Sequence, residues 1–273
     1  MKIKFWGVRG SIPCPGPDTV KYGGNTACIE LILDSGLRLI IDAGSGIREL
    51  GNYILTNRKF QKDDIKIFIT HTHWDHIMGF PFFSPMYMPE VRVKIFGPRT
   101  SENDSLEKII GGQWTHNYFP VLYEDLAAQV EYIEIKEDTY NLGGGLVLKT
   151  KSLLHPVACL GYRFEYKGKV FCTVYDTEPF TDMEEIIDFI KDADLLVHDA
   201  QYTEAEYRSS KSGWGHSYME YALDIAEKGK VKRLAFFHHD PDRTDKQIDL
   251  FSQRYNSSKL QSFFAKEKDE IFL

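Results

Sequence analysis

Short apolar runs recur along the chain, most of them bounded by Gly, Asp or Asn. Runs of this length, rich in Val, Ile, Leu and Phe, read as strands. They fall at 3–7, 27–33, 38–42, 65–70, 91–96, 130–135, 146–154, 161–166, 170–175, 195–199 and 233–237. Tyr166, Lys167, Gly168 and Lys169 have the composition of a hairpin turn. Helical spacing predicts helices over 46–56, 182–191, 217–228 and 245 to about 263. Met219, Ala222, Leu223 and Ala226 mark one apolar face, and Ser217 with Glu220 reads as a capping box. Strand-rich stretches at both ends, with helices interspersed, predict an α/β fold of two sheets packed face to face and covered by helices.

The stretch 99–125 breaks this pattern. It carries Trp114, His116, Tyr118, Phe119 and Pro120 without strand or helix periodicity. A long irregular segment of this kind is expected to be an insertion lying over a site, a lid in function.

The chain has 273 residues and no linker-like stretch, so one domain spanning 1–273 is expected. Its formal net charge is -7. That argues against general nucleic-acid binding, which depends on neutralising phosphates, and makes a large RNA partner unexpected. A small anion remains possible where positive charge is local. The N-terminal residues lack the apolar stretch of a signal peptide, and no run approaches membrane-spanning length. Cys14, Cys28, Cys159 and Cys172 form no C-x-x-C pair, which points to free thiols in a reducing cytoplasm.

The chemistry concentrates directly after the run at 65–70. His71, His73, Asp75 and His76 stand within six residues, as Thr-His-Thr-His-Trp-Asp-His. Imidazole and carboxylate are the ligands of zinc, manganese and iron. Alternate residues of an extended chain point the same way, so His71 and His73 can reach one metal. Asp75 and His76 follow the turn and can reach a second. Three other polar groups end apolar runs: His155, Asp176, and the pair His238 and His239. Strand ends are where sites are built in α/β proteins. Neighbouring strand residues face opposite sides, so one of the histidine pair should point to the metals, and His238 is the choice.

His-x-His-x-Asp-His, followed by single His, Asp and His ligands, resembles the metallo-β-lactamase superfamily of metallohydrolases over nearly the whole chain. The resemblance implies an αββα sandwich and a dinuclear site. His71, His73 and His155 would hold one metal; Asp75, His76 and His238 the other; Asp176 would bridge them. It also implies that Asp42, in Leu-Ile-Ile-Asp-Ala-Gly, supports a ligand histidine. A shell of oxygen and nitrogen without cysteine suits two hard divalent cations, zinc first, with manganese or iron as alternatives. Such a pair can hold a bridging hydroxide and clamp a phosphoryl oxygen, which suits phosphate esters.

Two later motifs, Val197-His198-Asp199-Ala200 and Gly215-His216-Ser217, resemble the ribonuclease Z and phosphodiesterase branch. There a His-Glu-Ala-Thr-like strand end precedes a His-Ser dipeptide. Asp199 replaces the glutamate, a shorter reach. The match implies that His216 contacts a phosphate oxygen or protonates the leaving alkoxide, with Asp199 orienting it. Together with Asp75 these are the expected catalytic residues.

The N-terminal Trp6-Gly7-Val8-Arg9-Gly10-Ser11-Ile12-Pro13 and Lys21-Tyr22-Gly23-Gly24-Asn25-Thr26 resemble a bacterial subgroup that includes cyclic-nucleotide phosphodiesterases. Ser11 and Asn25 are expected to hydrogen-bond near the metals, and Arg9 to lie at the surface or face substrate.

The expectation is a phosphodiesterase acting on a small nucleotide, first of all 3′,5′-cyclic AMP or GMP, with lid aromatics including Trp114, Tyr118 and Phe119 stacking on the base. The alternatives are a ribonuclease Z-like tRNA 3′-processing endonuclease, a phosphoesterase for ribose cyclic phosphates, and a non-catalytic metal- or nucleotide-binding sensor. Related phosphodiesterases often dimerise, so a homodimer is an open possibility.

Overall fold

The computed structural model describes residues 1–57, 65–255 and 260–273. Two seven-stranded sheets face each other. The first contains β1 (Lys2–Gly7), β2 (Cys28–Ile32), β3 (Arg38–Ile41), β4 (Ile65–Phe68), β5 (Arg92–Gly97) and β6 (Gln129–Glu134). The second contains β7 (Thr139–Gly143), β8 (Leu146–Ser152), β9 (Leu160–Tyr166), β10 (Lys169–Val174), β11 (Leu195–Asp199), β12 (Arg233–Phe237) and β13 (Gln261–Phe264). The chain then returns to the first sheet, where β14 (Glu270–Phe272) pairs antiparallel with β1. In space the orders are β14-β1-β2-β3-β4-β5-β6 and β13-β12-β11-β10-β9-β8-β7.

The layers follow from which faces are apolar. Phe5, Ile29, Leu31, Leu39, Ile41 and Phe68 of the first sheet meet Leu148, Tyr162, Phe164, Phe171, Val197 and Phe237 of the second. This buried layer joins the sheets. The outer face of the first sheet is covered by α1 (Ile47–Thr56), which inserts Ile47, Leu50 and Ile54. Two short helices, α2 (Trp74–Ile77) and α3 (Leu106–Gly111), add Ile77, Leu106 and Ile110 to the same layer. The second sheet is covered by α4 (Met183–Ile190), the one-turn α5 (Glu204–Glu206), α6 (Met219–Lys228) and α7 (Asp245–Arg254). Ile186, Ile190, Ala222, Ile225 and Ile248 supply the apolar contact from α4, α6 and α7. Strands β3, β4 and β5 run parallel, as do β10, β11 and β12. Coverage on both faces explains why these strands read as continuous apolar runs. The arrangement is the αββα sandwich.

Several expectations need correction. The helix from 245 stops at Arg254; residues 256–259 lie outside the described residues, and 261–264 form a strand. The predicted capping box of α6 is absent: Tyr218 is its N-cap, without a side-chain cap, and Ser217 is buried ahead of it. Glu220 instead accepts from the Tyr255 hydroxyl and the Glu204 amide. The hairpin turn at Lys167 and Gly168 is present, both residues having positive φ between β9 and β10. In 99–125, Trp114 is buried and donates to the Tyr87 hydroxyl, so it anchors the segment in the core and cannot stack on a ligand. Tyr118 is exposed and Phe119 half-buried. No helix among the described residues is long and apolar enough to cross a membrane.

Candidate metal centre

The loops that leave β3, β4, β8, β10, β11 and β12 converge at one edge of the sandwich. His71, His73 and His155 form one group with ligand atoms within 4.8 Å of one another; Asp75, His76, Asp176 and His238 form a second. Each group takes residues from both sheets. His71, Asp75, His76, Asp176 and His238 are buried, while His73 and His155 border solvent. Burial of this many polar groups against one another is costly unless something compensates them.

Four of the five candidate imidazoles are steered through one ring nitrogen. His76 Nδ1 meets Asp42 Oδ2 at 2.8 Å. His155 Nδ1 meets the Gly215 carbonyl at 2.9 Å. His238 Nδ1 meets Gln201 Oε1 at 2.9 Å, and His71 Nδ1 meets Thr70 Oγ1 at 3.2 Å. The other nitrogens are thereby turned into the cluster, the usual way a protein orients metal-binding histidines. Asp42 is fixed in turn by the Thr70 amide, the Thr70 hydroxyl and the Tyr175 hydroxyl, at 2.8 to 2.9 Å. Asp42, Asp176 and His238 all have φ near +60°. A non-glycine residue there costs roughly 1–2 kcal/mol, and the turn so made aims each side chain inward from its strand end.

Glycines supply the close approaches. A Cβ at Gly215 would fall 2.5 Å from His155 Nδ1, and one at Gly10 would fall 2.4 Å from His238 Nδ1. The Gly215 amide is held by Glu178 Oε1 at 2.7 Å, so one residue joins Glu178 to His155.

The inward atoms fit a cation better than they fit each other. His155 Nε2 lies 3.0 Å from His73 Nδ1, and His76 Nε2 lies 3.3 Å from His238 Nε2. His71 Nε2 is buried without a hydrogen-bond partner among the described residues. Asp176 Oδ2 sits 3.3 Å from both His76 Nε2 and His238 Nε2 without a well-formed bond to either. Burial opposes charge on His76, yet Asp176, Asp75 and Asp42 hold its proton well above the ordinary histidine range. The cluster calls for positive charge, and seven nitrogen and oxygen donors without cysteine suit hard or borderline divalent cations.

Beside this cage His216 Nδ1 lies 3.0 Å from Asp199 Oδ2, and its ring stacks on His238 with centroids 5.0 Å apart. Burial works against its charged form. Asp199, then Asp176 and Asp75, outweigh that and carry His216 up to about 9. Asp199, His216 and His238 also lie close enough to be a third ligand group. The carboxylate of Asp199 is already engaged by His216 and by the amides of Asp176 and Gln201, so we read it as an orienting group. The shorter Asp side chain therefore still reaches.

The N-terminal loop is placed differently from expectation. The Ser11 amide donates to Asp75 Oδ2 at 2.7 Å, so its backbone touches the cage. Asn25 turns away, bonding Glu267 and Ser45. Arg9 is buried, not exposed, and binds the carbonyls of Gly23, Asp240 and Arg243. It ties this loop to the segment after β12 and does not face a ligand. His239 also points away, with Nε2 donating to the Ala265 carbonyl. His198 is buried beneath Asp199, beside Tyr221. Gln201, Glu178, Thr70 and Tyr175 were not picked out by sequence reasoning. Their links to the site span up to 133 positions, and no local spacing signals them.

A family model described as beta-lactamase superfamily domain matches residues 37–239. Ribonuclease Z of Picrophilus torridus is 26% identical over 327 aligned positions, covering 99% of this chain and 97% of that protein. Among solved structures, the metallo-beta-lactamase fold protein YhfI of Bacillus subtilis has a TM-score of 0.72 at 17% identity, with 99% of each chain covered. Human tRNase Z, short form, has a TM-score of 0.68 at 21% identity, covering 100% of this chain and 99% of that one. These two likenesses concern the fold. With three-quarters of its length matched by the family model, the chain belongs to the metallo-β-lactamase superfamily and is a metal-dependent hydrolase.

Proposed function

We propose that the chain hydrolyses a ribonucleotide phosphodiester at a dinuclear metal site. The observation that carries this reading is the juxtaposition of the His/Asp cage with a histidine held protonated by its own carboxylate, His216 on Asp199. His71, His73 and His155 would hold one divalent cation, Asp75, His76 and His238 the other, with Asp176 between them; zinc is the first choice, manganese or iron the alternatives. When bound, such a pair supplies an activated water and neutralises the phosphoryl oxygens.

The chain's own residues do the rest. Asp199 accepts a hydrogen bond from Nδ1–H of His216, which leaves Nε2–H as the proton to be delivered to a departing alkoxide. A cation held at that position also favours charge developing on the leaving oxygen. Asp42, Gln201 and Gly215 keep the ligand imidazoles in one orientation. The segment 99–125, anchored by Trp114, would act as a lid with Tyr118 and Phe119 at its tip.

The name of the Picrophilus relative favours an RNA phosphodiester over the cyclic nucleotide expected from sequence, and we take a ribonuclease Z-like cleavage as the leading substrate reading. One pair of observations favours the small substrate instead. The net charge is -7, and the alignment to that relative runs to 327 positions against the 273 residues here, so the relative has segments with no counterpart in this chain. A large RNA needs a basic grip. Four free cysteines fit a cytoplasmic setting for either activity.

The test is a substrate panel with zinc and with manganese: precursor tRNA carrying a 3′ trailer, cyclic AMP, cyclic GMP and a ribose cyclic phosphate. Cleavage of the RNA alone supports the leading reading, and cleavage of cyclic nucleotides alone supports the second. Failure to hydrolyse any phosphodiester refutes both and favours a sensor.

A further inference from the structure

A cleft of about 650 Å³ opens beside the cage, of a size that takes a small ligand. One wall is the loop that carries the candidate ligands: Thr72 and Trp74 alternate with His71, His73 and Asp75. The segment 99–125 lines it too, through Gln113, Asn117, Tyr118 and Phe119, as does Phe82. Trp74 is 75% exposed, Tyr118 80% and Phe82 56%. Single exposed aromatics are common on protein surfaces, but three converging on one cleft mark a binding surface. Phe119 meets Phe82 edge-on with centroids 5.5 Å apart, so two of the lining segments touch.

Among the described residues the lining contains no Asp, Glu, Lys, Arg or His. A lining of that kind suits an uncharged group. Flat aromatic faces suit a flat π-system, and the side chains of Thr72, Gln113 and Asn117 offer donors and acceptors to its edge. Stacking on such faces is tolerant of base identity.

We propose that this cleft is a nucleobase subsite, which accepts an unpaired base one nucleotide from the scissile phosphate. The assignment rests on the phosphodiesterase reading for the location of the phosphate. It names the substrate as one whose base is free of a helix at the point of cleavage. Trp74 and Tyr118 supply the stacking faces. Because Trp74 and the ligand histidines share a loop, a stacked base fixes the phosphate with little intervening freedom.

The experiment pairs two readouts. The first compares hydrolysis of a ribodinucleotide with the same compound carrying an abasic ribose, on either side of the phosphate, by the metal-loaded protein. Stacking should favour the base-bearing compound by about 5- to 150-fold in kcat/KM on one side only. The ratio should fall toward one in Tyr118→Ala and in Phe82→Ala, and be retained in Tyr118→Phe. The second readout is quenching of 2-aminopurine ribonucleoside monophosphate fluorescence on binding, which needs no turnover. Equal hydrolysis of both compounds by the unmodified protein overturns the subsite and leaves the phosphodiesterase standing. Quenching that is lost in Tyr118→Ala, with no hydrolysis of either compound, keeps the subsite and removes the phosphodiesterase. An unchanged ratio in the alanine variants, accompanied by a changed oligomeric state in sedimentation, gives the cleft to a second copy of the chain and also overturns the proposal.

Discussion

Gly215→Ala should weaken metal binding while leaving every candidate ligand in the sequence. Gly215 has φ +88°, and an added Cβ would meet His155 Nδ1 at 2.5 Å, His155 Cε1 at 2.7 Å and Pro156 Cδ at 2.7 Å. Those distances are far inside contact, so the imidazole must swing away from Gly215 and lose its 2.9 Å bond to the Gly215 carbonyl. Two costs are separable. The backbone conformation alone costs roughly 1–2 kcal/mol for an L residue. Misdirecting a ligand whose outer hydrogen bond is lost typically costs 10- to 100-fold in metal affinity, about 1.4–2.8 kcal/mol. Gly213 separates them within the same loop. It has φ +84°, and a Cβ there meets nothing within 4 Å. Gly213→Ala should therefore lower stability by roughly 1–2 kcal/mol in urea unfolding and leave metal affinity intact. Gly215→Ala should lose stability and, in addition, about one to two decades of zinc affinity against a fluorescent chelator. Equal zinc affinities in the two variants would refute the claim that the Gly215 peptide sets the His155 ring.

Metal analysis of the purified protein should find about two divalent ions per chain, as the two candidate ligand groups imply; one or fewer would sink the dinuclear reading. His216→Ala should keep its metal but lose about 10²–10⁴-fold in turnover, the range for a lost general acid, and full activity would remove His216 from the mechanism. His239 is fully buried, and burial holds its pKa down to about 3 against an ordinary 6.5. A depressed histidine favours the neutral folded state, so its contribution is complete above about pH 6.5 and is lost as pH falls toward about 3, by up to about 1.4 kcal/mol per unit. His239→Gln should flatten the fall of the urea midpoint between pH 6.5 and pH 5, and an unaltered slope would show that other groups control it.

Strands buried on both faces were legible because nothing but continuous apolar sequence can fill them, as in β3, β4 and β11. The short edge strands β7, β13 and β14 were not, since half their residues face water, and β13 and β14 pair with distant segments, β12 and β1. Phe263 misled for a related reason: it continues an apolar helical spacing from α7 but sits in β13, paired to Ala235. In the site, the candidate ligands were legible because each polar residue interrupts an apolar run at a strand end. The groups that orient them were not. Gln201 follows Asp199 by two positions and looks like loop, yet it bonds His238. Arg9 illustrates the converse, a charge that sequence places at the surface and that backbone carbonyls draw inside.

Each candidate ligand group straddles the two sheets, with His71, His73, Asp75 and His76 from the first and His155, Asp176 and His238 from the second. A cation held there is also a rivet between the layers, and its binding energy becomes resistance to their separation. Synthesis runs from the N-terminus, so the first sheet offers only half a cage until the residues through His238 have been made and docked. Hydrolytic competence would then arrive late in folding, and a chelator would lower the stability of this protein as well as inhibit it.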